Sequence, residues 1–241
     1  MKLFKMLTLV FFTSCFTFCN SQEVIVGNGI QTTKTVNPKP FTGIITSNNA
    51  TIHISQGDKY ELIVTGDSNI IEQHLKIKTK NNNCIIKLEK GNYRNYNLNI
   101  EITMPKIQKI DAYGSDEIEI NDFTNLDDLS FHSVGSGNIN INRINPIRKC
   151  SATIIGSGDI IFNEEVSIRN IDLRIIGSGK FRGYNITSKS YRIVNAGSGD
   201  CEVNVTDNLS ASIPGSSDVY YKGNPKIQFS SPGSGRLIDA N

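Results

Sequence analysis

Tryptophan is absent from this chain, leucine is sparse, and the 241 residues include only three histidines. The usual helix-forming palette is missing. Ile, Val, Thr, Asn, Ser and Gly dominate instead, which is the composition of strands and turns. Charge of one sign is lacking too. The formal net charge is +2, and Lys2 and Lys5 at the extreme N-terminus account for it, so the remainder is neutral. That removes the electrostatic footing for nucleic acid or an anionic membrane surface as partner. Past the N-terminal segment, no stretch approaches the roughly 18 consecutive apolar residues of a membrane-spanning helix. No CxxC spacing occurs, and His53, His74 and His132 are scattered, none beside a cysteine or acid at ligand spacing. No metal or cofactor site is expected.

The N-terminus reads as an export signal, with Lys2 and Lys5 ahead of an apolar run from Met6 to Phe12 that continues weakly to Phe18. Cleavage after Ser21 makes residues 1–21 the signal peptide and Gln22 the new start. A second reading takes Phe12-Thr13-Ser14-Cys15 as a lipoprotein box, with Cys15 lipidated. Both place the protein beyond the inner membrane, in the periplasm, the outer membrane or at the cell surface. Of the cysteines beyond the leader, Cys84, Cys150 and Cys201 are odd in number. The last two fall on different strand positions two repeats apart, beyond disulfide reach. Buried, unreactive thiols are expected.

What the chain has in abundance is a repeat. A G-S-x tripeptide begins at Gly114, Gly135, Gly156, Gly177, Gly197, Gly215 and Gly233, in steps of 21, 21, 21, 20, 18 and 18 residues. A period near 20 residues marks a solenoid of stacked coils. Four residues after each first Gly stand Ile118, Ile139, Ile160, Phe181, Cys201, Val219 and Leu237, and two further on Ile120, Ile141, Phe162, Gly183, Val203, Tyr221 and Asp239. Upstream, the apolar columns are Leu129/Cys150/Ile171/Tyr191/Leu209 and Ile110/Phe131/Ala152/Leu173/Ile193. Polar residues alternate with them, as along a strand with one buried face. A looser third side carries Phe123, Ile144, Val166, Ile186 and Val205. The expected fold is all-β: a parallel β-helix of roughly triangular coils with Gly-Ser-Gly corners. Glycine there permits positive φ and close backbone approach, and the serines bond corner backbone groups or form a stacked hydroxyl ladder.

Residues 22–110 lack the tripeptide but keep alternating runs at 51–55, 60–65, 75–79, 84–88 and 98–103, separated by Gly, Asp and Asn turns. They are expected to form irregular strands sealing the N-terminal end of one body spanning 22–241, with regular coils over 111–241. Pro214, Pro225 and Pro232 fall in the last two coils, where missing donors discourage edge pairing. A monomer is expected, or a weak edge-to-edge dimer.

Several short motifs then occur in order: Gly27-Asn28-Gly29, Phe41-x-Gly-Ile44, Ile54-Ser-Gln-Gly57, Val64-Thr-Gly-Asp67, Met104-Pro105 and the G-S-G-D/N corners. With the leader, they resemble the head GIN domain family of auto-transporter adhesins among exported Bacteroidetes-type proteins. The resemblance covers nearly all of the chain after the leader. It implies a β-solenoid at the cell envelope and carries over no catalytic residue.

The leading functional expectation is a non-catalytic envelope or surface protein that binds a glycan, an envelope component or a host-surface ligand through a rigid β face. Tyr113, Val134, Ile155, Ile176 and Ala196 immediately precede successive corners, and strict alternation points them outward as an apolar stripe. Burial by the corner bend is the opposing reading. A polysaccharide-degrading β-helix enzyme is the alternative, needing a tuned carboxylate pair. Its candidates, Asp159, Asp200, Glu202 and Asp218, all sit at the repeat's own polar position, and Glu164-Glu165 lies on a charged turn. A calcium reading of G-S-G-D fails because the period is double that of nonapeptide rolls, and Lys180 and Arg236 replace two of the acids. A hydrophobic-ligand protein of the periplasm is the third class, resting on the stripe alone.

Overall fold

The computed structural model describes residues 23–124 and 126–241; the signal peptide, its cleavage after Ser21 and Cys15 lie outside them. The chain is all-β, a β-solenoid of about six turns. Its strands stand in two main columns. Leading into the corner, Gly43–Ser47, Lys109–Gly114, Asp128–Gly135, Ile147–Gly156 and Val166–Gly177 pair in parallel, one on the next. The later halves of Phe181–Asn195 and Cys201–Ser212 follow, then Lys226–Ser230. Leaving the corner, Thr51–Gln56, Glu117–Asn121, Ile139–Ile141 and Ile160–Phe162 form the second column. It continues through the first residues of the two long strands to Asp218–Lys222 and Arg236–Asp239. The third side is looser, with a Phe123–Ile144 bridge and Val166 beside Ile186.

Burial follows the columns. Ile118, Ile139, Ile160, Phe181, Cys201 and Val219 have no exposed surface, and one continuous core runs from Phe41 to Val219. On the terminal coil, Ile227 and Phe229 occupy the positions of Leu209 and Ala211 but lie exposed.

The corners explain the tripeptide. Gly114, Gly135, Gly156 and Gly177 stack in direct register. A Cβ at Gly156 would lie 2.2 Å from the carbonyl oxygen of Gly135, at a φ of +120° that L side chains rarely adopt. That carbonyl accepts the next coil's serine N–H: Ser136 N–H to Gly114 O at 2.9 Å, Ser157 to Gly135 and Ser178 to Gly156 at 2.8 Å, and Ser198 to Gly177 at 2.8 Å. The expected ladder is therefore built mainly from serine backbone N–H groups. Among the corner serines only Ser198 and Ser178 bring their hydroxyls together, at 3.4 Å.

Regular coiling starts earlier than residue 111. Gly43–Ser47 and Thr51–Gln56 form a first coil in register with Lys109–Gly114 and Glu117–Asn121. Asn48 takes the corner position of glycine, which hides this coil from the tripeptide pattern. The chain then doubles back over residues 57–104. Asn83–Leu88 and Leu98–Met104 pair in parallel beneath the first coil. Leu75–Lys80, Glu61–Asp67 and Gln31–Val36 add antiparallel edges outside them. A π-helical turn, Ile70–His74, tucks Ile70 and Ile71 into the end of the core.

Two outcomes test this packing. Gly156→Ala should destabilise the fold by about 3 kcal/mol through backbone clash and strain, whereas Ser157→Ala, at an exposed hydroxyl, should change it by no more than about 0.5 kcal/mol. Urea unfolding measures both; a severe loss on the serine change would show that the hydroxyl, not the N–H, holds the corner. Tyr191 is fully buried and its hydroxyl has no hydrogen-bond partner among the described residues. Tyr191→Phe should therefore raise stability by about 1 kcal/mol, and a loss of that size would reveal a partner for the hydroxyl.

Candidate functional site

The residue before each corner points away from the core. Tyr113 pairs in register with Val134, Val134 with Ile155 and Ile155 with Ile176. Tyr113 is 40% and Ile176 36% exposed, Ala196 is exposed, and Val134 and Ile155 are half-buried. At the parallel-strand spacing the five span roughly 19 Å. The corner serines Ser136, Ser157, Ser178 and Ser198 lie exposed on one side. On the other stand His132, Thr153 and Arg174, with His132 edge-on to Tyr113 at 5.8 Å between ring centres. The corner bend thus leaves the apolar line open between two polar rows.

The acids that an enzyme would need are tied into the repeat. Asn138 Oδ1 accepts the Asp159 N–H, Asp159 Oδ1 accepts the Lys180 N–H at 2.8 Å, and Asp200 Oδ1 accepts the Asp218 N–H at 3.1 Å. These three side chains after a corner each close the next coil's backbone. Asp218 is chelated by Arg236, which holds its carboxyl below the ordinary range. Glu202 and Asp159 flank Arg182, and Glu164 pairs with Arg143 at 3.2 Å. In a second ladder that the tripeptide alignment overlooks, Asn142 Nδ2 donates to Asn121 Oδ1 at 2.6 Å and Asn163 Nδ2 to Asn142 Oδ1 at 2.8 Å. Its signal was the same 21-residue step.

One acid is buried. Asp116, where every later corner but the one at Ser217 has its second glycine, accepts from the Thr46 hydroxyl at 2.8 Å, the Ala50 N–H at 3.0 Å and the Asn48 N–H at 3.2 Å. Burial pushes its carboxyl above the ordinary carboxylate range, against the pull of those three donors. Its partners are all donors of the first coil's corner, so it completes that corner. Asn48 in turn bonds the Ile86 carbonyl and the Leu88 N–H, tying the coil to the strand beneath.

His53, scattered in sequence, stands 2.9 Å from Glu119 and in register with Glu101. No group of three or more metal-ligating side chains occurs among the described residues. Cys84, Cys150 and Cys201 are free and buried; burial pushes the first two thiols up to about 12 and Cys201 higher still.

A cleft lies elsewhere, at the N-terminal end, lined by Lys34, Lys76, Lys78 and Lys87 with Val36, Ile77 and Ile85. The alternation Lys76-Ile-Lys-Thr-Lys80 was its only sequence signal.

The family described as "Putative auto-transporter adhesin, head GIN domain" matches residues 40–225. The chain belongs to this family. Solved structures share its fold. The head GIN chain is 25% identical to "a putative adhesin" from Bacteroides fragilis, with a TM-score of 0.82, covering 89% of this chain and 99% of that one. "A putative adhesin" from Parabacteroides merdae has 18% identity and a TM-score of 0.68, over 90% and 99% of the two chains. A "Putative lipid binding protein" from Parabacteroides distasonis has 21% identity and a TM-score of 0.71, over 90% and 100%. These last two likenesses are of fold. No curated protein sequence matches the head GIN chain.

Removing the Asp116 carboxylate strands three corner donors. Asp116→Ala should cost about 3 kcal/mol, and hydrogen exchange should show loosening centred on residues 46–50. An unchanged midpoint would mean that water or Asn48 replaces the acceptor.

Proposed function

We propose that the chain is a non-catalytic, exported binding module of the cell envelope. Its residues 22–241 form one rigid body that presents the line Tyr113–Val134–Ile155–Ile176 as an adhesive contact. The observation that carries this reading is the exposure of that line, set by stacked corners that leave its side chains no freedom to fold inward. Adhesin descriptions in the family and in the Bacteroides fragilis relative support it. The commitment of Asp159, Asp200 and Asp218 to backbone donors and to Arg236 disfavours the polysaccharide-degrading alternative. Burial of this apolar line, about 14 Å long over its four residues, against a partner is the kind of contact that gives hot-spot residues their weight.

The test has two parts. Protease shaving of intact cells should cut the protein while a periplasmic control survives; protection would confine it inside the envelope. Purified chain should be retained on intact cells, and Tyr113→Ser/Ile176→Ser should reduce retention at least threefold with unchanged thermal stability. Equal retention by the variant would remove the stripe as the contact surface.

A further inference from the structure

The N-terminal end of the solenoid differs chemically from its sides. A cleft of about 580 Å³ opens there between the edge strand Gln31–Val36 and the hairpin formed by Leu75–Lys80 and Asn83–Leu88. Four exposed lysines, Lys34, Lys76, Lys78 and Lys87, line it, against a single lining acid, Glu72. Val36 and Ile77 lie partly buried against the end of the core, and Ile85 is half-buried directly across from Lys78.

The fold does not call for this concentration of charge. Lys76 and Lys87 are direct cross-strand partners in the antiparallel hairpin, and like charges placed opposite destabilise a strand pair. Glu89 relieves one of them, reaching Lys76 at 3.2 Å. Lysine on edge strands deters sheet-to-sheet association, which accounts for Lys34, Lys76 and Lys78. It does not account for Lys87, whose strand is covered on both sides, by Leu75–Lys80 and by Gly43–Ser47. A row of exposed lysines that continues past the sheet edge to Lys87, beside aliphatic side chains in a cleft of small-ligand size, has the chemistry of a site for an anion.

The lining narrows the class of anion. Aliphatic side chains form the apolar part, and no aromatic ring faces the cleft to stack on a sugar. Hydrogen-bonding amides are absent from it as well. We propose that this cleft binds a single-chain amphiphilic anion, a long-chain carboxylate, with its head group among Lys34, Lys78 and Lys87 and its acyl chain leaving along Ile85, on the face of Lys78 and Lys87, over the hairpin edge to Ile77 and Val36. The site is separate from the corner stripe and does not depend on the adhesive reading.

Titration calorimetry with monomeric oleate at about 0.15 M salt, where exposed charges are screened beyond roughly 8 Å, tests it directly. The expected result is saturable binding of one oleate per chain, with oleyl alcohol at least tenfold weaker. Lys78→Gln/Lys87→Gln should weaken oleate at least tenfold while leaving the thermal midpoint unchanged or raised, because a repulsion has been removed. Ile85→Ser should also weaken oleate, and Tyr113→Ser/Ile176→Ser should bind it like the parent chain. No saturable binding, equal binding by the lysine variant, or a loss on the stripe variant instead would each overturn the proposal. So would sedimentation with phosphatidylglycerol vesicles in the absence of monomer binding, which would make the patch a membrane contact.

Discussion

Everything in this molecule depends on one close approach, repeated. At each corner a carbonyl, of Asn48 in the first coil and of glycine in the later ones, meets the coil above where a glycine leaves only a hydrogen on the facing Cα, and accepts the N–H of the following serine. Any side chain at that point would collide with backbone, which cannot yield as a flexible side chain can. The corner therefore sets the distance between coils and forbids slippage by a residue. A one-residue slip would turn every inward isoleucine out to solvent. The columns of the core, the polar closure by Asn138, Asp159 and Asp200, and the line of residues before each corner all inherit their register from it.

Where that corner is strict, the sequence was readable. The apolar columns, the third side at Phe123 and Ile144 and the outward line before the corners all follow from aligning the tripeptides, since a fixed period makes one coil stand for its neighbours. The hidden part begins where the period is replaced by something equivalent. Asn48 occupies a glycine position, and its coil holds because the carboxylate of Asp116, more than 60 residues away, supplies acceptors for the corner donors. No local pattern announces such a substitution. The doubling back of residues 57–104 was equally hidden. Alternation identified its strands, but not that Asn83–Leu88 lies beneath a strand forty residues earlier. The lysine cleft exists only through that order, because it brings together residues from three separated strands.

The serines teach a related point. Their recurrence invited a hydroxyl ladder, yet what recurs in the structure is mainly their N–H. A residue following a tight glycine needs to be small and compatible with solvent, and serine meets both conditions without its hydroxyl being needed by a neighbour. The corner acids are the converse case. They look like free surface carboxylates in sequence and turn out to be acceptors for the next coil, so a motif that reads as chemistry is part of the scaffold.

That division bears on where function can reside. In a solenoid each lateral position is copied from coil to coil, so the sides offer extended, graded surfaces rather than converging groups. The apolar line between serine and polar rows is such a surface, suited to a broad contact. Convergence of unlike groups needs a break in the repeat, and this chain breaks its repeat most strongly at the N-terminal end. There the antiparallel edges leave Val36 and Ile77 only partly buried at the margin of the core and set Lys87 opposite Lys76, which pairs with Glu89. The proposed lateral contact and the proposed end site rest on two different consequences of one architecture: repetition along the sides, and the exposure of apolar core where repetition stops.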